Sequence, residues 1–299
     1  MKAEPLLLYV PGLRAKPPPR TYARELFRCL VEGVRRIDPN VAAEIQEHEP
    51  CFDIAGWTYD FYGEHREIGL DLPGIERILK QKEPSPRDIA EAVSTKRRFV
   101  RWLYRLADHL PFLIPQLADE RLELHLEDLR RYVRNEFDVA EAIRRLVKLP
   151  LRAAEKSGRP VLLIGHSMGS VIAWDTLWQM SRESGDEVTI DLFITLGSPL
   201  GQRYIQRRLL GADETGERRY PGNIRRWINI AAVGELTAID VRLRNDFGEM
   251  IGLGLVESIE DFTVFNHYRT NAELNVHSEY GYLVNEVTAT VVRDWWRDL

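Results

Sequence analysis

Residues 159–180 read RPVLLIGHSMGSVIAWDTLWQM, and this stretch decides the fold. It begins with a short apolar run, Val161 to Ile164, that is typical of a buried strand, and it ends in apolar residues at helical spacing. A strand that turns abruptly into a helix strains the middle residue and leaves no room for side chains two positions away. Glycine at both of those positions, Gly165 and Gly169, removes the clashes. A bare pattern of this kind can also be a surface turn, but the strand and helix around it favour Ser167 as a nucleophile.

The backbone beside this serine indicates how negative charge on a reacting carbonyl would be stabilised. Met168 opens the predicted helix, so its N–H lies where developing negative charge is favoured. A second N–H usually comes from the loop after an early strand, and here the first apolar run ends in Pro11 and Gly12. Because proline has no N–H, Gly12 or Leu13 has to donate, and we predict Leu13. A plain strand-ending turn is the alternative.

A serine hydroxyl needs a base within hydrogen-bond reach, and the base needs an acid to orient it. In hydrolases with this kind of turn the chain order is serine, then acid, then histidine. Of the seven histidines, two lie downstream of Ser167 and of a plausible acid: His267 and His277. His267 ends a predicted strand, where a structural role is expected, whereas His277 lies in the loop before the last predicted helix. The sequence predicts His277 as the base, with His267 or a solvated loop histidine as the alternatives.

The acid is sought in the loops that follow the next predicted strands. The turn after Ile190 to Leu196 reads GSPLG and contains no carboxylate. The loop after the strand Trp227 to Ala232 reads AVGELTAID and offers Glu235 and Asp240. Glu235 is the first choice because it follows the strand by three residues, and Asp240 is the second. Either carboxylate could instead stand at the start of a helix.

Composition excludes several classes of protein. The chain has 299 residues and 44% hydrophobic residues, which supports a sizeable core. Its net charge of −5 provides no basic excess for binding nucleic acid. The two cysteines, Cys29 and Cys51, lie in no metal-binding cluster and are expected to be small buried hydrophobes in a reducing compartment.

The N-terminal apolar run has five residues, too few for a signal peptide, and no segment has the 18 apolar residues of a membrane span. We therefore expect a cytoplasmic protein, although a chain whose leader had been removed would look the same.

Strand and helix candidates alternate on both sides of the serine turn, which predicts an α/β fold with a mostly parallel sheet flanked by helices. Residues 63–137 contain polar helices broken by proline and no convincing strand, so we expect a helical cap inserted into a single domain of residues 1–299. The other predicted elements are a strand over Leu6 to Val10, a helix capped by Thr21 that ends before Pro39, a strand over Phe52 to Phe61, a helix start at Ser85 with Asp88, a helix capped by Asp138 and Glu141, a strand over Phe262 to Phe265, and a closing helix from Leu283 to Trp296.

Within residues 63–137, the stretch STKRRFVRWLYRLADHLPFLIPQL predicts a basic amphipathic helix. Its apolar and basic faces carry, respectively, Phe99, Trp102 or Leu103, Leu106 and Leu110, and Arg97, Arg101 and Arg105. One hypothesis is a lid that covers an acyl pocket or contacts a lipid surface, and the alternative is a packed helix with a solvated basic side. Beside the oxyanion loop, Arg14, Lys16 and Arg20 could attract an anionic head group or a coenzyme A tail, or could simply be solvated.

Four segments resemble the α/β-hydrolase superfamily in its lipase and esterase branch: VPGL at 10–13, GHSMGS at 165–170, TLGSPLG at 195–201 and HSEY at 277–280. The third is similar to the corresponding segment of bacterial lipases and of glycolipid-anchor deacylases of the PGAP family. Two departures stand out. The family commonly has His-Gly where this chain has Pro11 and Gly12, and Asp-Pro-Val where it has Glu235, Leu236 and Thr237.

The resemblance implies hydrolysis of carboxylic esters through an acyl-enzyme on Ser167, with His277 as base, Glu235 as acid and no metal or organic cofactor. The implied partner is a small-molecule acyl ester, lipids included, with peripheral contact to a membrane as a further option. A thioesterase or an acyltransferase with the same three residues is the first alternative, and a hydrolase-fold binding protein without catalysis is the second. The sequence does not indicate an oligomeric state.

Overall fold

A parallel sheet of six strands forms the centre of the described chain. The computed structural model describes residues 4–109, 120–183, 188–236, 238 and 241–299, and for 104–109 and 120–126 it describes the backbone. The strands are β1 (Leu6–Val10), β2 (Phe52–Ile54), β3 (Val161–His166), β4 (Ile190–Leu196), β5 (Ile224–Ala232) and β6 (Ser258–Val264), in the spatial order β2-β1-β3-β4-β5-β6. A separate antiparallel hairpin consists of β7 (Arg269–Thr270) and β8 (Glu273–Leu274).

Helices lie on both faces of the sheet, so the predicted α/β fold is confirmed. In the described residues they are α1 (Pro19–Ile37), α2 (Pro39–Glu47), α3 (Thr58–Tyr62), α4 (Leu72–Lys80), α5 (Pro86–Ala92), α6 (Thr95–His109), α7 (Glu120–Val133), α8 (Val139–Lys156), α9 (Met168–Met180), α10 (Arg203–Gln206), α11 (Leu243–Phe247), α12 (Glu249–Gly252), α13 (Glu279–Leu283) and α14 (Glu286–Arg297). None of these helices has the length and the apolar run that crossing a bilayer requires.

Two hydrophobic cores lie on opposite faces of the sheet, because successive strand residues point to opposite sides. On one face, Leu6, Leu8 and Val10 pack with residues of α8 and α9. On the other face, Leu7 and Tyr9 pack with residues of α1 and α14. Burial on both faces explains why β1 and β3 are continuous apolar runs rather than alternating ones. Both cysteines are buried, as expected.

The chain order of the strands reverses between β1 and β3. From β1 the sheet extends to β2 on one side, whereas β3, β4, β5 and β6 follow on the other side. The helices that follow β1 and β3, α1 and α9, pack on opposite faces of the sheet, and in folds of this kind ligands bind at the carboxyl ends of the strands where the order reverses. Val10 is paired with Gly165 in the register, so the loop after β1 and the serine turn lie side by side at this edge.

The strand predicted over Phe52 to Phe61 is too long. β2 ends at Ile54, which is paired with Tyr9, and α3 begins at Thr58. Beyond Ile54 one more hydrogen bond joins the two segments, from Ala55 N to Tyr9 O at 2.9 Å, and the pairing then stops because β1 ends at Val10. Aromatic and β-branched residues favour a strand where a neighbouring strand is available, and here it runs out.

The starts of two helices also differ from the prediction. α1 begins at Pro19 with Pro18 as its first flanking residue, so Thr21 does not cap it. Proline suits the first helical position because its missing N–H would have no partner there. At the start of α8 the side chain of Asp138 makes no capping hydrogen bond, and Asn135 Oδ1 instead accepts from Ala140 N at 2.9 Å and from Glu141 N at 3.1 Å.

The prediction at Ser85 is confirmed. Its hydroxyl accepts from Asp88 N at 3.2 Å, and the Asp88 carboxylate accepts from Ser85 N at 2.9 Å, which forms a capping box at the start of α5. β6 begins four residues before the predicted Phe262 and the closing helix begins at Glu286 rather than Leu283, preceded by the short α13.

Residues 63–137 hold α4 to α7 and no strand within their described part. α4 packs on α1 and α13, and α5 packs beside β8. That these helices form an inserted cap stays a prediction. The expected apolar residue Leu110 lies outside the described residues, as do the side chains of Arg105 and Leu106.

Candidate active site

The serine turn has the strained backbone that its glycines suggested. Ser167 stands between β3 and α9 with φ 53° and ψ −127°, a combination that costs on the order of 1–3 kcal/mol for a residue with a side chain. Its N–H donates to Leu196 O at 2.9 Å, which ties the turn to the end of β4. Such strain persists only where the surrounding structure holds it in place. The conformation that presents the Ser167 hydroxyl at the end of β3 therefore lowers the stability of the fold.

Three glycines make the turn possible by letting backbones approach closely. A Cβ on Gly165 would lie 2.7 Å from Ser170 Cα, and a Cβ on Gly169 would lie 2.0 Å from Val10 O. A Cβ on Gly12 would lie 2.8 Å from Ser167 Cβ. The loop after β1 therefore lies directly against the serine, at the edge where the strand order reverses.

His277 and Glu235 are brought together by hydrogen bonding. His277 Nδ1 donates to Glu235 Oε2 at 2.8 Å, across 42 residues of sequence. The backbone of His277 is held on both sides: its N–H donates to Asn275 Oδ1 at 3.1 Å, and its carbonyl accepts from His166 Nε2 at 2.9 Å. His166 precedes the serine, so the end of β3 directly holds the loop of His277.

The carboxylate of Glu235 is almost fully buried, with 1% of its surface exposed, and its oxygens are occupied. Besides His277 it accepts from the Tyr282 hydroxyl at 3.1 Å and from Leu236 N at 2.9 Å. Tyr282 in turn accepts from Ala232 N at 2.8 Å, at the end of β5. A buried carboxylate needs such donors, and Tyr282 is one that no motif in the sequence indicates.

Gly197 provides the space in which this pair meets. It has φ 54°, and a Cβ there would lie 3.0 Å from His277 Nδ1 and 3.2 Å from Glu235 Oε2. This glycine belongs to the TLGSPLG segment, which carries no carboxylate. The segment contributes space for the Glu235 carboxylate, which follows the next strand, and no carboxylate of its own.

The pKa of His277 lies above its usual value. Burial alone would lower it, but the charge of Glu235 and the hydrogen bond to it outweigh burial. With Nδ1 donating to Glu235, Nε2 is the nitrogen left to accept a proton from another group. In the described part of the chain no hydrogen bond joins His277 to the Ser167 hydroxyl. Bonds of this kind often tighten when substrate binds.

The loop after β1 is anchored along its length. Trp57 Nε1 donates to Pro11 O at 2.9 Å, and Arg14 N donates to the Tyr62 hydroxyl at 2.8 Å. The Arg14 N–H is therefore engaged. Among the described residues, the N–H groups of Gly12, Leu13 and Met168 make no backbone hydrogen bond outside the helices and strands, so the choice of Leu13 over Gly12 stays a prediction.

The other residues that the sequence singled out lie in different environments. His267 is buried, and its Nε2 donates to Gln81 O at 3.0 Å, which is a structural role. Asp240, the second choice for the acid, lies outside the described residues. The expectation that Lys16 is solvated or binds an anion is wrong, because Lys16 is buried and paired with Glu279 at 2.9 Å. Arg14 and Arg20 are exposed.

His166 is a residue that the sequence did not single out. The residue is 2% exposed, and its ring lies 4.8 Å from the ring of His277, centroid to centroid. Burial lowers the pKa of His166 to about 3, so it is neutral and donates from Nε2. Its position between the two glycines of the turn was visible in the sequence, but its bond to a loop 111 residues away was not.

The first turns of α6 pack against the same loops. Arg97 donates to Leu274 O at 2.7 Å and to Gly234 O at 3.5 Å, one residue before Glu235. Arg97 is therefore bonded to the backbone rather than solvated. On the outer side, Phe99 and Trp102 are 59% and 55% exposed and stack on each other with centroids 6.0 Å apart.

Comparison with protein families gives one match. The model of the lecithin:cholesterol acyltransferase family matches residues 134–209, about a quarter of the chain, which includes α8, β3, the serine turn, α9 and β4. No curated protein and no solved structure matches the chain. Over this segment the chain is similar to a lipase-like family of acyl-transferring enzymes related to the α/β-hydrolases, and the parallel sheet agrees with that relation.

Proposed function

We propose that the protein is a serine hydrolase that cleaves carboxylic esters through an acyl-enzyme on Ser167. The observation that carries this proposal is the His277–Glu235 hydrogen bond of 2.8 Å, placed beside a strained serine turn at the carboxyl edge of the sheet. The similarity to an acyl-transferring family over residues 134–209 supports the same reaction class.

In the first half of the reaction, the Ser167 oxygen attacks the carbonyl carbon while His277 Nε2 takes the hydroxyl proton. Negative charge that develops on the carbonyl oxygen is stabilised by the N–H groups of Leu13 and Met168. The ester bond then breaks, and the leaving alcohol receives the proton from His277. Glu235 stays ionised and keeps the imidazole in the correct tautomer.

In the second half, water attacks the acyl carbon while His277 again accepts a proton. The bond between Ser167 and the acyl group breaks, the proton returns to the serine oxygen, and the carboxylic acid leaves.

A fluorophosphonate probe tests the proposal, because such probes react with activated serines. We expect labelling of the wild type and of Ser181→Ala, a control at the end of α9, and no labelling of Ser167→Ala. An unlabelled wild type, or labelling that persists in Ser167→Ala, would overturn the proposal and would favour a binding protein without catalysis.

A second candidate is acyl transfer to an alcohol or hydrolysis of an acyl thioester with the same residues. The family match favours acyl transfer, since acyl transfer is what the name of that family describes. Product analysis in the presence of a millimolar alcohol separates the candidates. Free acid as the main product supports hydrolysis, whereas transferred ester as the main product in spite of excess water supports a transferase. Matched oxygen esters and thioesters decide the leaving group.

The exposed aromatic pair suggests that the ester is presented at a lipid surface. Phe99 and Trp102 stack on α6, the helix whose Arg97 contacts the Glu235 turn. We expect Phe99→Ala/Trp102→Ala to lose activity on an emulsified long-chain ester while activity on a soluble short ester is retained. Leu149→Ala removes an equally exposed apolar side chain on α8 and serves as the control. An equal loss on both substrates would contradict the lipid-surface idea.

A further inference from the structure

A buried ion pair joins the loop after β1 to the start of α13. Lys16 Nζ lies 2.9 Å from Glu279 Oε1, and each side chain is 10% exposed. The same carboxylate oxygen accepts from the Tyr22 hydroxyl at 2.7 Å. Lys16 and Glu279 are 263 residues apart in sequence, so the pair forms only when both ends of the chain are in place.

Stability alone is a poor explanation for this pair. Removing two charges from water costs several kcal/mol per ion, and apolar replacements of buried pairs are often as stable or more so. The position of the pair is more informative. Lys16 follows the proposed oxyanion donor Leu13 by three residues, and Glu279 follows the proposed base His277 by two.

The pair complements contacts that hold the same two loops elsewhere. The loop after β1 is bonded to Trp57 and Tyr62, and the His277 loop is bonded to His166. Among the described side chains, Lys16 and Glu279 form the ion pair that connects these two loops to each other.

The charges that face His277 come from several elements. The charged groups are Glu235 after β5, Glu279 at the start of α13 and Lys16 after β1. Two further titratable groups carry no charge there: His166 at the end of β3 is neutral, and the Tyr282 hydroxyl donates to Glu235. Glu279 raises the pKa of His277 and Lys16 lowers it. Burial would also favour a neutral Glu279, but Lys16 and the hydrogen bonds keep the pKa of Glu279 below its usual value, so the pair is ionic.

We propose that Lys16 and Glu279 are a positioning pair for the reaction: their ion pair fixes the oxyanion loop against the loop of His277, and their opposite charges cancel at the imidazole. Neither residue touches the reacting atoms. This inference rests on the proposed function, because it assigns the pair to the base and the oxyanion donor of that reaction.

The test uses Lys16→Met, Glu279→Gln and the double variant, with kcat/KM measured against pH on a soluble ester. The acid limb of this profile reports the pKa of the base in the free enzyme. In Lys16→Met, the Tyr22 hydroxyl and a backbone hydrogen bond still favour the ionised form of Glu279, whose negative charge then has no cation beside it, so the limb moves to higher pH. Glu279→Gln leaves the positive charge of Lys16, so the limb moves to lower pH.

The double variant separates charge from position. With both charges removed, the acid limb returns to that of the wild type, but kcat stays about 10- to 100-fold lower because misplaced groups react slowly. KM changes less than kcat. This variant contains no unpaired buried charge, so it provides a decisive reading even if a single variant does not fold.

Opposite shifts in the single variants and a wild-type limb with reduced kcat in the double variant would support the pair as a positioning device. Shifts in the same direction, no shifts, or a double variant with wild-type kcat would overturn it. The proposed function is judged separately, since a wild type that labels at Ser167 and hydrolyses esters upholds it whatever these variants do.

Discussion

At the scale of a residue, Glu235 shows how a buried carboxylate is held against the imidazole of His277 by several hydrogen-bond donors. It is buried, and its oxygens accept from His277, Tyr282 and the N–H of Leu236. Each donor fixes one lone-pair direction, so the carboxylate has little freedom to turn away from the imidazole. A glutamate, one methylene longer than the aspartate usual in the family it resembles, is held in this way from three sides.

The first prediction concerns this carboxylate. Glu235→Gln is expected to lower kcat by about 10³- to 10⁴-fold, because the imidazole loses its orientation and the support for its positive charge. Loss of the negative charge also lowers the pKa of His277, so the acid limb of kcat/KM moves to lower pH. Both effects are measured with a soluble p-nitrophenyl ester.

Tyr282→Phe is the matched control, since it keeps the charge and removes the hydrogen bond to Glu235, together with the acceptor of Ala232 N. We expect a loss of about tenfold or less, in line with the strength of a single hydrogen bond. Full activity in Glu235→Gln together with loss in Asp240→Asn would assign the acid to Asp240 and contradict the prediction.

Single residues differ in how well the sequence predicts them. The strained turn at Ser167 could be predicted because its flanking glycines indicate a local backbone strain. Chain order and the missing carboxylate after β4 selected His277 and Glu235, which lie in hydrogen-bond contact, while their roles stay predictions. Lys16 could not, because a lysine in a loop is normally solvated, and its partner lies at the other end of the chain. Long-range contacts of this kind leave no periodic or local signal.

At the scale of an element, the bounds of two inner strands were predicted correctly, whereas a third inner strand, β5, begins three residues before the predicted Trp227. β1 and β4 have the predicted bounds, since their apolar runs are buried on both faces. β2 was predicted too long and β6 too short, and both lie at the edges of the sheet. An edge strand pairs with one neighbour and is less buried, so it tolerates polar residues. Glu260 and Asp261 in β6 therefore interrupt the apolar run that would mark the strand in the sequence.

The packing of α9 against the loop after β1 gives the second prediction. Gly169→Ala places a Cβ 2.0 Å from Val10 O and 2.7 Å from Pro11 O, and both are backbone atoms that cannot move aside. We expect a loss of about 3 kcal/mol or more in the free energy of unfolding, at the upper end of overpacking effects. Urea denaturation measures it.

Gly252→Ala in α12 is the control, because a Cβ there meets no atom within 4 Å. It is expected to leave the unfolding free energy unchanged or to raise it by up to about 1 kcal/mol through a better helix propensity. Equal effects of the two substitutions would show that the contact between α9 and Val10 does not restrict this position.

At the scale of the whole molecule, the alternation of strands and helices predicted the α/β fold, but it could not predict the order of strands in the sheet. β1 and β3 are neighbours although 150 residues separate them. Their adjacency follows from the register and from helices that cover both faces, and neither can be inferred from a local pattern. The helices of residues 63–137 were expected, but not their contacts with α1, α13 and β8.

The third prediction concerns a buried acid that lies away from the site. Burial raises the pKa of Asp175 to about 6, although it accepts from Leu210 N at 2.9 Å and from the Tyr132 hydroxyl at 3.0 Å. An acid with a raised pKa contributes most to stability while it is protonated in the fold, and this contribution is lost as the pH rises through the folded pKa.

Asp175→Asn is therefore expected to stabilise the protein above pH 6, by on the order of 2 kcal/mol, and to stabilise it less at pH 4.5. Thermal unfolding at several pH values measures this, with the exposed Asp213→Asn as a control that leaves Tm nearly unchanged throughout. A Tm difference that does not grow between pH 4.5 and pH 7 would contradict the prediction.

The hydrogen bonds of Arg97 have a consequence for how the molecule would behave at an interface. One side of α6 carries the exposed Phe99 and Trp102. On the other side, Arg97 donates to the carbonyls of Gly234, one residue before Glu235, and of Leu274, three residues before His277. If attachment through the aromatic pair changes the affinity of the site for an acyl ligand, thermodynamic reciprocity requires the ligand to change the affinity for the surface by the same factor. A lipid surface would then act as an effector of the enzyme, and occupancy of the site would control how long the protein stays on that surface.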